Sequence, residues 1–120
     1  MTKASGDGFD FPAFKRAFVT QDVAAWAGFF AEHGEWFEYR HANPPASPSV
    51  IAGRERIAQK LDRVKASNVR LEIEDELVGP GRAAFRVWVH LQGGKRILEQ
   101  VFIYFDQGRI TRQIDVEAWD

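Results

Sequence analysis

Three carboxylates stand where a carboxylate can do chemistry. Glu38 lies in an aromatic-rich run, Glu35 to His41 (EWFEYRH), that reads as a short strand. Alternation there puts Trp36, Glu38 and Arg40 on one side and Phe37, Tyr39 and His41 on the other, so Glu38 shares its face with an indole. A one-residue change of register reverses that assignment. Glu99 interrupts the otherwise apolar row Ile97, Val101, Ile103, Phe105, and a carboxylate on a buried face needs a partner or a task. The plainer alternative is an ion pair with an Arg or His of a neighbouring strand. Asp115 belongs to the closing segment GRITRQIDVEAW, in alternation with Gln113, Glu117 and Trp119. The other face, Ile110, Ile114, Val116 and Ala118, is the more apolar, so periodicity alone sends Asp115 to solvent.

Other chemistries have no foothold. There is no cysteine, so no disulfide, thiolate zinc site or Cys nucleophile can form, and no Gly-rich phosphate loop, HExxH or nucleophile elbow occurs. The histidines, His33, His41 and His90, are too far apart to suggest paired metal ligands. The expectation is acid and base work by carboxylates, with no metal and no cofactor, and with Arg or Tyr orienting a polarised oxygen. His41 and Arg40 end the strand beside a Pro-rich loop and could reach a ligand. His90 lies with Arg86 and Trp88 in a cross-strand or interface setting, and His33 reads as the end of a helix.

The elements that must position these groups follow from period and caps. Residues 1–8 read as a mobile arm ending before an aromatic, Phe9, that can dock, and residues 9–120 as a single domain. Asp10 caps a first helix carrying Phe11, Phe14 and Phe18. Asp22 caps a second through Trp26, Phe29 and Phe30, ended by Gly34. After the first strand comes the turn-rich ANPPASPS, then a helix from Gly53 with the stripe Ile57, Leu61, Val64. The period then drops to two through four strands, with turns at VGPGR, Gly93-Gly94 and DQG. The order α-α-β-α-β-β-β-β implies an α+β fold, helices packed on one face of a curved, mainly antiparallel sheet.

Composition agrees with a globular chain: 120 residues, 45% hydrophobic and 28% charged, with a net charge of −1 that favours neither nucleic acid nor anionic membrane. The N-terminus MTKASGDG lacks a signal-like apolar core, which reads as a cytoplasmic protein. The strand from Lys95 to Phe105 is apolar on both faces, because Leu98, Phe102 and Tyr104 oppose Ile97, Val101 and Ile103. A chain this short has no second layer to cover the outer face, so a homodimer through it is expected, using Trp88, Phe102, Tyr104, Ile114 and Val116.

Three phrases carry a family likeness: QDVAAWAGFFAEHGEW (Gln21 to Trp36), IAGRERIAQKL (Ile51 to Leu61) and FIYFDQGRITRQIDVEAW (Phe102 to Trp119). In order and spacing they resemble the nuclear-transport-factor-2-like superfamily, in particular its SnoaL-like polyketide cyclase and ketosteroid isomerase branches. The resemblance implies a cone that admits a small, largely apolar ligand between sheet and helices. Phe14, Phe18, Trp26, Phe30, Phe85, Val87, Val101 and Ile103 would line or underpin it, with Trp36, Tyr39, Arg40, His41, Glu99 and Gln113 completing the ligand site. It also implies catalytic roles for Glu38, as a carboxylate that moves a proton beside a carbonyl, and for Asp115, as an acidic base facing the cone. A dimer partner over the outer aliphatics would reconcile that facing with the periodicity. The chain departs from the isomerase pattern in one respect. Val101 stands where an acidic oxyanion donor is expected, and AFKRAF in the first helix has no hydroxyl, so steroid isomerisation is not implied. Three functions stay open: a cofactor-free isomerase, cyclase or hydrolase, a non-catalytic carrier or sensor, and a dimerisation module with a filled cone.

Overall fold

The computed structural model describes residues 8–120, so the proposed arm lies, except for Gly8, outside the described residues. Helix α1 (Phe11–Thr20) starts where Asp10 accepts a hydrogen bond from the Ala13 N–H at 3.1 Å, with Pro12 in the first turn. Its buried face is Phe11, Phe14, Ala17 and Phe18. Asp22 caps α2 (Val23–Gly28) in the same way. The helix is shorter than its pattern implies. It stops at Gly28, and β1 (Phe30–Tyr39) begins where the sequence reads as continuing helix. Tertiary pairing overrides local propensity here: the Ile110 N–H bonds to the Phe29 carbonyl at 2.7 Å and draws the chain into the sheet. Gly34 is therefore no helix cap. It sits inside β1, where a Cβ would lie 2.9 Å from the Ile110 carbonyl oxygen, so the strand can pass there only with glycine. His33 accordingly lies exposed on β1 and not at a helix end.

The expected order holds with one short strand added. β2 (Ser49–Ala52) follows the Pro-rich loop and pairs antiparallel with β1, and α3 (Arg54–Ala66) follows it. Four residues give too little alternation to be read from sequence. The remaining strands, β3 (Arg70–Gly79), β4 (Arg82–His90), β5 (Arg96–Asp106) and β6 (Arg109–Trp119), form the expected antiparallel meander, and the sheet runs β2-β1-β6-β5-β4-β3. Among the described residues, only the β1–β6 pair is parallel. All three helices pack on one face, giving an α+β fold on a six-stranded, mostly antiparallel sheet.

The core is mainly aromatic. Phe9 docks as the sequence suggests, stacked on Phe105 with ring centroids 4.4 Å apart, and Phe14 meets Phe9, Phe11, Phe18, Phe29 and Phe85 at 5.6–5.9 Å. Two bulges correct the faces that simple alternation assigns. Thr111 is the extra residue between the pairs Tyr104↔Arg112 and Phe105↔Ile110, and it turns Ile110 into the core. Asp75, at φ 57°, is the extra residue in β3. It moves Leu77 to the outer face, where the side chain is 74% exposed, and turns Glu76 inward to Lys15 on α1. An apolar row then crosses the outer face strand by strand: Leu77, Ala84, Phe102, Ile114, Phe37, Val50.

Candidate functional site

The inner face changes character along its strands. On β5 it runs Phe105, Ile103, Val101, then Glu99. On β6 it runs Ile110, Gln113, Asp115, Glu117 and Trp119, and on β1 Trp36, Glu38 and Arg40. Register brings these together, because Glu38 pairs with Asp115, Asp115 with Val101, and Glu117 with Glu99. Four carboxyls thus occupy adjacent inner positions of three neighbouring strands. Over them lies a cavity of about 370 Å³, lined by Phe18 of α1, Trp26 of α2, Lys60 and Val64 of α3, and the inner residues of β1, β5 and β6, with Leu71, Val89 and Leu91 on the far side.

The polar groups form a connected set. Trp36 Nε1–H donates to Asp115 Oδ2 at 2.9 Å, and Gln113 Nε2 donates to Asp115 Oδ1 at 3.0 Å. Lys60 Nζ donates to Glu38 Oε1 at 3.0 Å and lies 5.1 Å from the centre of the Trp36 ring. Trp119 Nε1–H donates to Glu117 Oε1 at 2.9 Å, and the Arg40 guanidinium lies 5.0 Å over the Trp119 ring. Glu117 lies between its acidic neighbours, opposite Glu99 in the β5–β6 register and beside Glu38, so three carboxyls adjoin. Oxygens of Glu38, Asp115 and Glu117 come within 4.8 Å of one another, the spacing of a metal-ligand set. The donor set fits such an ion poorly, because both Asp115 oxygens already accept from Trp36 and Gln113 and an ammonium already sits on Glu38.

Burial and crowding set the proton affinities. Desolvation pushes the Asp115 carboxyl well above the usual carboxylate range and the charge of Glu38 pushes it further, against the hydrogen bonds from Gln113 and Trp36. Glu99 is also raised well above that range, first by desolvation and then by Asp115, Glu117 and Glu38. Glu117 is raised by desolvation and Glu38. Burial and mutual crowding thus favour the protonated form at Glu99, Asp115 and Glu117.

Each residue singled out in the sequence can now be placed. Glu38, Glu99, Gln113, Trp36, Arg40, Trp26 and Phe18 line the cavity. Asp115 faces inward, against the plain reading of its strand, but is fully buried behind the lining under Trp36 and Gln113. Phe14, Phe30, Phe85, Val87, Val101 and Ile103 are fully buried core outside the lining. Tyr39 pairs with Val116 on the outer face, because alternation opposes it to Glu38. His41 is exposed in a shallow groove that shares Arg40, Glu117 and Trp119 with the cavity. His90 bonds to Glu72 across strands. Lys60 was legible only as part of the polar cover of α3. The clue was its place four residues before Val64 and three after Ile57, at the edge of the apolar stripe.

Among solved structures the fold has many likenesses. A protein of unknown function described as NTF2-like from Mesorhizobium loti matches with a TM-score of 0.78 and 20% identity, over 90% of this chain and 87% of that one. A protein from Sphaerobacter thermophilus matches at 0.70 and 19%, over 92% and 94%. A hypothetical protein with a ketosteroid isomerase-like fold from Catenulispora acidiphila, solved in complex with trimethylamine, matches at 0.65 and 20%, over 88% and 82%. Likeness at this identity establishes the fold and leaves each ligand with its own protein. No curated protein matches the chain. The sequence of residues 12–113 matches the SnoaL-like domain, so the chain belongs to the SnoaL-like domain family.

Proposed function

We propose that this is a small-molecule-binding SnoaL-like protein that moves a proton on its ligand without a cofactor. The observation that carries the reading is the adjoining carboxyls Glu38, Glu117 and Glu99 opening on a cavity walled mainly by apolar side chains. Glu38 and Glu117 are the groups positioned to exchange a proton with a ligand. Asp115 serves from behind as a positioning residue, holding Trp36 and Gln113 and adding negative charge that keeps a proton on its neighbours. Trp26 Nε1–H, buried and without an acceptor among the described residues, is a donor for a ligand oxygen and offsets in part the hydroxyl missing from α1. The outer row from Leu77 to Val50 supports a homodimer through the sheet, since Leu77, Phe102 and Val50 are 74%, 44% and 48% exposed on it.

The test is deuterium uptake at the carbon beside the carbonyl of small cyclic ketones, followed by NMR. Uptake above the buffer rate is expected with the native protein, and its loss in the double variant Glu38→Gln, Glu117→Gln. Binding of those ketones without any uptake would leave a carrier.

A further inference from the structure

The carboxyls in this cavity outnumber the cations that answer them. Glu38 is paired with Lys60, whereas Glu99, Asp115 and Glu117 have no basic partner within 4.0 Å among the described residues. Arg40, the other base of the lining, is held by Asn43 Oδ1 at 2.9 Å and by the Trp119 ring. Groups of both signs thus face the cavity from β1 (Glu38, Arg40), α3 (Lys60), β5 (Glu99) and β6 (Glu117, with Asp115 behind), and acids prevail. Buried carboxyls without a counter-charge are costly, and the surplus calls for a positive group from outside the chain.

Two further features indicate what kind. Gln113, only 1% exposed, lines the cavity and bonds to Asp115 through its amide nitrogen, while its Oε1 has no partner among the described residues and remains free to accept a hydrogen bond. Lys60 shows that the site already holds an ammonium between a carboxylate and an indole face. Apart from Ser67, the rest of the lining is aromatic and aliphatic, which suits an organic body and not a bare ion.

We infer that the ligand is a small protonated amine: an ammonium seated on Glu117, Glu99 and the Gln113 oxygen, carried by an apolar or aromatic body that packs on Trp36, Trp26 and Leu91. This rests on the cavity being the ligand site, as proposed above, and gives that site its substrate class. Burial favours the protonated form of these carboxyls and an ammonium favours the charged form, so its binding should release protons.

Calorimetry of the intact protein with benzylammonium, benzyl alcohol and benzoate separates the possibilities, because the three probes share a body and differ in charge. Benzylammonium is expected to bind at least about tenfold more tightly than benzyl alcohol, with benzoate weakest. Glu117→Gln should erase most of that preference, weakening benzylammonium at least about fivefold more than benzyl alcohol, and Glu99→Gln is a second variant should the first fail to fold. Equal binding of the alcohol, tighter binding of benzoate, or a preference that survives both variants overturns the amine and leaves the small-molecule site standing. Magnesium or manganese displacing benzylammonium by binding at Glu38, Asp115 and Glu117 overturns it in favour of a metal. Silence from all three probes, with no NMR shift at Val64, Val89 or Leu91, overturns the amine and the cavity reading together.

Discussion

The two ends of one sheet face are built on opposite principles. At the Phe105 end, Phe9, Phe14, Phe18 and Phe85 interlock with one another and with α1. At the other end, the same strands present Glu38, Glu99, Asp115 and Glu117 beneath Lys60 and Trp36. The first end gains stability from apolar area removed from water. The second holds carboxyls that burial penalises, and it keeps them by donated hydrogen bonds and retained protons. A closed aromatic end thus gives rigid footing to an end whose own groups oppose folding, so function and stability are laid out along the strands and not mixed.

The comparison breaks first at the aromatic end. Phe14→Ala removes a ring with no solvent exposure and five aromatic neighbours, and should cost about 3–5 kcal/mol in denaturant unfolding. A loss below about 1 kcal/mol would mean that the two ends do not differ as described. Lys60→Met leaves Glu38 without its partner in a site where the two side chains are only 15% and 19% exposed, and should cost about 1–3 kcal/mol. Glu38→Gln combined with it should recover most of that, measured as a double-mutant cycle.

The polar end should also reveal itself in pH. Glu99, Asp115 and Glu117 are raised in the folded protein, so between the ordinary carboxylate range, about 4, and their folded values the native state binds more protons than the unfolded chain. Their stabilising contribution is complete below that window and is lost as pH rises through it, by up to about 1.4 kcal/mol per pH unit for each proton held. Thermal unfolding should therefore occur at lower temperature at pH 8 than at pH 5. Asp115→Asn should flatten that slope, with the Gln113 amide turning so that Oε1 accepts from the new side chain. An unchanged slope would place the titrating groups elsewhere.

The smallest expected effect on stability concerns the outer face. Phe102→Glu lies on the apolar row and is 44% exposed, so the monomer's fold should tolerate it within about 1 kcal/mol. Light scattering should nonetheless change from dimer to monomer. A native chain that is already monomeric at micromolar concentration would end the dimer proposal.

Much of this layout was legible in the chain. The caps at Asp10 and Asp22, the α3 stripe, the Gly93-Gly94 turn and the sharing of one face by Trp36, Glu38 and Arg40 all follow from local chemistry and period, though not which way that face turns. Three things were not. The end of α2 depends on the Ile110 N–H reaching the Phe29 carbonyl, a partner about eighty residues away. The faces of Leu77 and Ile110 depend on one extra residue in each strand, at Asp75 and Thr111, and a two-residue period cannot announce the point at which it slips. The partnership of Lys60 with Glu38 depends on how α3 lies on the sheet.

The sequence by itself determined the kinds of element, the choice of carboxylates over cysteine or histidine as candidate acid-base groups, and the family, because caps, periodicity and composition act over a few residues at a time. Only the tertiary structure decided that Asp115 faces inward yet lies behind the cavity wall, and that Glu38, Glu99 and Glu117 stand side by side on that wall. The physical reason is that a buried charge is tolerated by what surrounds it. Those surroundings, Trp36 and Gln113 on Asp115, Lys60 on Glu38 and Trp119 on Glu117, come from other elements or positions whose side chains meet only when β1, β6 and α3 have been brought together.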